Sequence, residues 1–141
     1  MGSMVLDTGP LVALLDAGDH HHAWAAEELS HFKGEIRICE AVLTEALFLL
    51  RKLRPAQEKI LHWVERQELI CDFVLPAEVK AVRSLWHRYA NVPMSLADAC
   101  VVRMAEMHRH SVICTVDSDF SIYRKDGRHP LQLLTPQSTH S

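Results

Sequence analysis

The chain has 141 residues, 48% of them hydrophobic, and a net charge of −3, which is enough for about one well-packed domain and argues against two. No apolar run approaches the roughly 18 residues of a membrane span, and nothing at the N-terminus resembles a signal peptide. The charge balance also lacks the basic footprint that phosphate binding usually carries, although setting four of the 18 acids aside around an ion leaves the rest of the chain close to neutral. A single cytoplasmic domain spanning 4–136 is expected. Met1-Gly2-Ser3 ahead of Met4 looks like an expression scar, and 137–141 is a polar tail expected to be disordered.

Met4-Val5-Leu6 is short, apolar and partly β-branched, and reads as a strand ending at Asp7. Gly9 and Pro10 punctuate, and a helix is expected over Pro10 to Asp16, because proline suits a first helical position. Gly18 is placed as its left-handed stop. Asp19 to His22 begins a second helix, with Ala23, Trp24, Ala26, Leu29 and Phe32 at helical spacing before Gly34. Ile36 to Cys39 alternates as a second strand, and a helix follows over Ala41 to Leu53. Pro55 breaks it and opens another from Ala56 to Gln67. Leu69 to Leu75 reads as a third strand, Pro76 opens a helix over Ala77 to Tyr89, and Asn91-Val92-Pro93 is a turn. The longest helix is expected from Ser95 to about His108, a fourth strand over Ser111 to Val116, and a fifth over Leu131 to Leu134. Strands alternating with helices indicate an α/β fold, a mainly parallel sheet of four to five strands flanked by helices.

Cys39, Cys71, Cys100 and Cys114 each lie in an apolar run with no CxxC pairing, which favours free thiols over zinc or disulfide roles. His20-His21-His22 stands just ahead of a helix. A solvated helix start is the plainer reading, and a contact to a phosphate or metal the other.

Four places hold an acid that the local pattern does not ask for. Asp7 leaves a strand at the end where open α/β sheets bind ligands. Glu45 sits in the apolar run from Ala41 to Leu50, where a buried carboxylate must be metal-bound, neutral or paired with a base such as Arg51, the alternative being a solvent-facing stripe; Glu40 is the weaker substitute. Ser95-x-x-Asp98 is a capping-box pattern, so Asp98 divides between helix cap and functional acid. Asp117 and Asp119 follow a hydrophobic strand, where one acid commonly forms a turn but two in three residues exceed that need. All-oxygen carboxylate clusters suit Mg²⁺ or Mn²⁺ rather than zinc, and a pair of such ions activates water against a phosphodiester without a nucleophilic side chain. No Ser/His/Asp or Cys/His arrangement and no Gly-rich phosphate loop is present.

Leu6-Asp7-Thr8-Gly9-Pro10-Leu11-Val12-Ala13-Leu14-Leu15-Asp16, Thr44-Glu45-Ala46, Ser95-Leu96-Ala97-Asp98-Ala99 and Thr115-Val116-Asp117-Ser118-Asp119-Phe120 together resemble the PIN domain family, in particular the single-domain VapC-like toxins. The resemblance runs from Met4 to about Pro136. It implies a three-layer α/β/α sandwich whose acidic pocket binds Mg²⁺ or Mn²⁺ and hydrolyses RNA phosphodiesters. By position, Asp7, Glu45 and Asp98 match the three core acids and Asp117 the fourth, with Asp119 sharing or replacing its role. Thr8 and Thr115 match hydroxyl residues that support such pockets, although Thr8 also suits a helix cap. The family further implies a small antitoxin partner and a homodimer. Arg51, Lys52, Arg54, Arg124, Lys125 and Arg128 are the candidate RNA contacts. A PIN-like module that binds RNA or protein without cutting is the alternative. A phosphoaspartate enzyme is disfavoured, because Gly9 stands where a second aspartate is wanted.

Overall fold

A computed structural model describes residues 2–136; the expectation for 137–141 lies outside them. The element order begins with β1 (Ser3–Leu6), α1 (Thr8–Leu15), α2 (His22–His31), β2 (Glu35–Arg37), α3 (Glu40–Leu49), α4 (Arg54–Glu65) and α5 (Leu75–Arg88). It continues with α6 (Leu96–Met107), β3 (Ser111–Cys114), a 3-10 helix (Ser118–Ser121), β4 (Arg124–Lys125), β5 (His129–Pro130) and β6 (Leu133–Leu134).

β2, β1, β3 and β6 form a parallel sheet in that order, the centre of a three-layer α/β/α sandwich. β1 is an inner strand, pairing Met4 with Ile36 on one side and with Val112 on the other. Met4, Val5 and Leu6 are fully or almost fully buried, as expected for a strand covered on both faces. Pairing already starts at Ser3, inside the segment read as a scar. α6 packs on β1 and β3, α5 packs on α6, and α1 packs on α2 and α3. α6 is buried almost all round, through Ala97, Ala99, Cys100, Val101, Val102, Met104 and Ala105. This explains its long apolar sequence, and it makes the half-buried Asp98 an exception.

Several boundaries differ from the sequence reading. α1 starts at Thr8, so Pro10 is its third residue, still within the first turn where helix N–H groups have no intrahelical partner. α1 ends in extended backbone at Asp16, whose side chain accepts the Gly18 N–H at 3.0 Å, and Gly18 does not take a left-handed conformation. α2 begins at His22, whose Nδ1 lies 2.7 Å from the Ala13 carbonyl and ties α2 to α1.

The strand expected over Leu69 to Leu75 is absent. Only Ile70 bridges Arg37, Phe73 turns into the core, and Leu75 already opens α5 with Pro76 in its first turn. The strand after α6 ends at Cys114 rather than Val116: Thr115 keeps one ladder bond to Leu134, and Val116 leads on to the acids. The antiparallel β4–β5 pair was not anticipated. Asp126 and Gly127, at φ 52° and 81°, make its turn, with the Arg128 N–H donating to the Lys125 carbonyl at 3.2 Å.

All four cysteines are free thiols. Among the described residues, no helix is long and apolar enough to cross a membrane.

Candidate active site

Asp7 and Asp117 leave the same carboxyl edge of the sheet because the parallel register carries β1 and β3 out together. The Asp7 N–H donates to the Cys114 carbonyl at 3.0 Å, and the Thr115 N–H to the Leu134 carbonyl at 3.1 Å, so the ladder continues into the site. Asp7 is the residue capping α1, yet its side chain caps no amide. Its Oδ2 instead accepts the Thr115 hydroxyl at 2.7 Å. The same Thr115 oxygen accepts the Asp117 N–H at 3.0 Å, and Asp117 Oδ1 accepts the Asp119 N–H at 2.9 Å. One hydroxyl thereby fixes both Asp7 and the first residue of the acidic turn. Asp117 is thus both a turn former and a neighbour of the other acids.

Asp98 is divided in the same way. Its N–H donates to Ser95 Oγ at 3.0 Å, the helix-capping half of the pattern. Its carboxylate is held chiefly by the Tyr123 hydroxyl, which it accepts at 2.9 Å, with lesser hydrogen bonds back to Ser95. Tyr123 is fully buried, with the rings of Tyr89 and Phe120 packed edge-on at centroid distances of 5.0 and 5.2 Å. Tyr123 was not anticipated from the sequence: an aromatic residue 25 positions from its partner gives no local signal.

Glu45 departs from expectation. It lies on the exposed side of α3, beside Phe48 and Leu49, which are 61% and 57% exposed. The apolar composition that suggested an all-buried helix includes side chains that face outward. Glu45 Oε1 accepts the Thr8 hydroxyl at 2.8 Å, so Thr8 links it to Asp7's helix rather than capping that helix. Glu45 makes no salt bridge with Arg51, whose guanidinium lies 4.2 Å from the centre of the Phe48 ring.

Burial dominates the electrostatics of Asp7 and Asp98, and neighbouring like charges add to it. Burial lifts the Asp7 carboxyl from 3.8 to about 6; the Thr115 hydrogen bond opposes this, and the charges of Asp98 and Asp117 add to it. Burial also raises Asp98, with the Tyr123 hydrogen bond opposing and Asp117 adding. The Tyr123 hydroxyl is pushed up by burial and by Asp98, with Asp119 and Asp117 contributing.

Among the described residues, no Lys, Arg or His forms a salt bridge with Asp7, Glu45, Asp98, Asp117 or Asp119. A divalent cation would relieve this repulsion, and the oxygen-only donor set suits Mg²⁺ or Mn²⁺. The donors are not drawn into a closed cage: among the described residues, no three His, Cys, Asp or Glu side chains stand as a ready metal-holding group.

The basic candidates lie apart from this pairing. Arg124 donates to the carbonyls of Ser121, Ile122 and Tyr123, and Lys125 to that of Arg109 at 2.9 Å. Arg51 donates to the Phe48 carbonyl. Lys52, Arg54 and Arg128 are exposed, without side-chain hydrogen bonds or salt bridges among the described residues.

Known structures share this architecture. The sarcin–ricin-loop-cleaving toxin VapC20 of Mycobacterium tuberculosis superimposes with a TM-score of 0.72 at 19% identity, covering 84% of this chain and 93% of that one. VapBC2 of Rickettsia felis, bound to a DNA fragment from its promoter, gives 0.64 at 17% identity, over 94% and 98%. DNA-bound VapBC of Salmonella typhimurium gives 0.60 at 16%, over 96% and 98%. No curated protein matches the chain. The PIN domain family matches residues 4–126, which takes in β1 with Asp7 at one end and the acidic turn at the other. With the sheet order, the acid-bearing edge and this match in agreement, the chain belongs to the PIN domain family.

Proposed function

We propose that this chain is a divalent-metal-dependent endoribonuclease, with Asp7, Asp98 and Asp117 as its central acids and Glu45 and Asp119 beside them. One observation carries the reading: burial, and to a smaller degree neighbouring like charge, disfavours the ionised carboxyls of Asp7 and Asp98 beside Asp117 at the ligand-binding edge of a PIN fold, with no side-chain cation paired to them among the described residues. Mg²⁺ or Mn²⁺, when bound there, supplies the charge that stabilises a leaving phosphate oxygen and acidifies an attacking water. The chain's own contribution is positioning. Thr115 orients Asp7 and the Asp117 backbone, Tyr123 orients Asp98, and Thr8 orients Glu45. The exposed Lys52, Arg54 and Arg128 are available to RNA phosphates, more so than Arg51, Arg124 and Lys125, whose side chains already bond to carbonyls.

The biological setting proposed is that of a toxin held by a small antitoxin, since two of the similar structures are VapBC complexes. A homodimer in the cytoplasm is proposed with it; the exposed Phe48, Leu49 and Trp86 supply apolar surface for self-association. A module that binds without cutting is the second reading, favoured by the absence of a closed donor group among the described residues.

Cleavage of a mixed RNA pool by purified protein in Mg²⁺ or Mn²⁺, beside an EDTA control and Asp7→Asn, separates the two. Metal-dependent cutting lost in the variant supports the nuclease. Absence of cutting with several RNA classes, in protein free of antitoxin, supports the binding module.

A further inference from the structure

Beside the acids, the ends of β3 and β6 and the 3-10 helix enclose a cavity of about 270 Å³ lined by Val116, Asp117, Ser118, Ser121, Leu133 and Thr135. We propose that this cavity is a nucleobase subsite, holding the base next to the phosphodiester presented to the acids. The assignment rests on the ribonuclease reading for its substrate, while the cavity itself is independent of it.

Position is the first argument. Asp117 is both a wall of the cavity and a member of the charge-coupled acids, so a ligand in the cavity is adjacent to the site. Size is the second. The volume falls just below the roughly 300–1,000 Å³ of pockets that take drug-sized ligands, which suits one flat heterocycle rather than a peptide helix about 10–12 Å across.

Chemistry is the third. Val116 and Leu133 offer apolar surface, and the serines offer hydroxyls at the rim. Ser118 Oγ makes no hydrogen bond among the described residues; Ser121 Oγ donates to the Ser118 carbonyl at 2.7 Å and keeps its lone pairs. No Lys, Arg or His lines the cavity, and Asp117 would repel a phosphate. That combination of apolar faces, serine hydroxyls and one acid able to accept from an exocyclic amine or ring N–H fits an unstacked base, which single-strand readers hold in this way.

The walls are held in place. Val116 fills the space left by the missing side chain of Gly9, Phe120 anchors the 3-10 helix as a fully buried ring, and Leu133 is in register with Ile113 of β3.

The test is a titration of metal-free protein with adenosine, guanosine, cytidine and uridine, and with ribose as control, read from the methyl resonances of Val116 and Leu133. The expected result is saturable shifts at these methyls, with one nucleoside at least several-fold tighter than the others. Ser121→Trp, at an exposed rim position, should abolish the shifts without lowering the melting temperature, and so should the milder Ser121→Phe. No response up to the nucleosides' solubility limits, or an equal response to ribose, overturns the proposal. Because no cleavage is read, nucleoside binding by a protein that cuts no RNA would retain the subsite and reject the nuclease. Cutting without nucleoside binding would do the reverse.

Discussion

Thr115 and Asp7 lie 108 residues apart in sequence and are joined by a 2.7 Å hydrogen bond inside the protein, hydroxyl to carboxylate. The bond favours the ionised form of an acid that burial otherwise drives toward neutrality. Thr115→Val keeps the branched shape and removes the hydroxyl. The Asp7 carboxyl should then rise above about 6. The acid limb of the Mn²⁺-binding pH profile should move upward by about one pH unit, as expected for losing a hydrogen bond to a charged group. An unmoved acid limb would show that Thr115 does not set the ionisation of Asp7.

Asp7→Asn tests the charge repulsion through stability. A carboxyl raised from 3.8 to about 6 stabilises the fold in its protonated form, fully below the lower value, and that contribution is lost as pH rises through the upper one. In EDTA at neutral pH the ionised group therefore costs on the order of 3 kcal/mol. The variant should melt at the wild-type temperature or higher in neutral EDTA, and the difference should narrow as pH falls through about 6. A large drop in melting temperature would instead make Asp7 a structural residue.

Tyr123→Phe isolates the orientation of Asp98. The ring remains packed against Tyr89 and Phe120, and only the hydroxyl donor is lost. Divalent-ion affinity, read by calorimetry, should fall about 10-fold, the lower end of what such outer partners of metal ligands are worth. Unchanged affinity would make the contact incidental to ion binding.

Gly9→Ala addresses the packing behind the site. A Cβ at Gly9 would collide with the Val116 side chain. The clash should outweigh the better helix propensity of alanine and destabilise the protein by about 1–2 kcal/mol. Gly18→Ala, where a Cβ would meet only Asp16 Oδ1 at 3.4 Å, is the control and should be nearly neutral. Equal thermal melts for the two variants would refute the close packing.

What the sequence could convey follows from how local each feature is. The position of Asp7 and Asp117 was legible because an acid directly after an apolar strand is a short-range pattern, and the parallel sheet put both on one edge. Asp98 was legible only as an ambiguity. Ser95 binds its amide, with lesser bonds to its carboxylate, while Tyr123 donates to the carboxylate, and that last contact is set by tertiary packing. Glu45 was misjudged because hydrophobicity along α3 does not say which apolar side chains stay in solvent. The apolar run at Leu69 misled for a related reason: Leu69 and Phe73 are buried by tertiary packing, while only Ile70 bridges another strand. The β4–β5 turn was signalled by Asp126-Gly127, but strands of two residues have no alternation to flank it.

The sheet order has a consequence for a growing chain. β1 finds one neighbour in β2 soon after synthesis, whereas its other neighbour, β3, lies beyond α6. Until Thr115 has emerged from the ribosome, Asp7 lacks the hydroxyl that orients it, and Asp117 and Tyr123 are still enclosed behind it. A nascent chain therefore carries Asp7 without its orienting partner for as long as it takes to make the helices between β2 and β3.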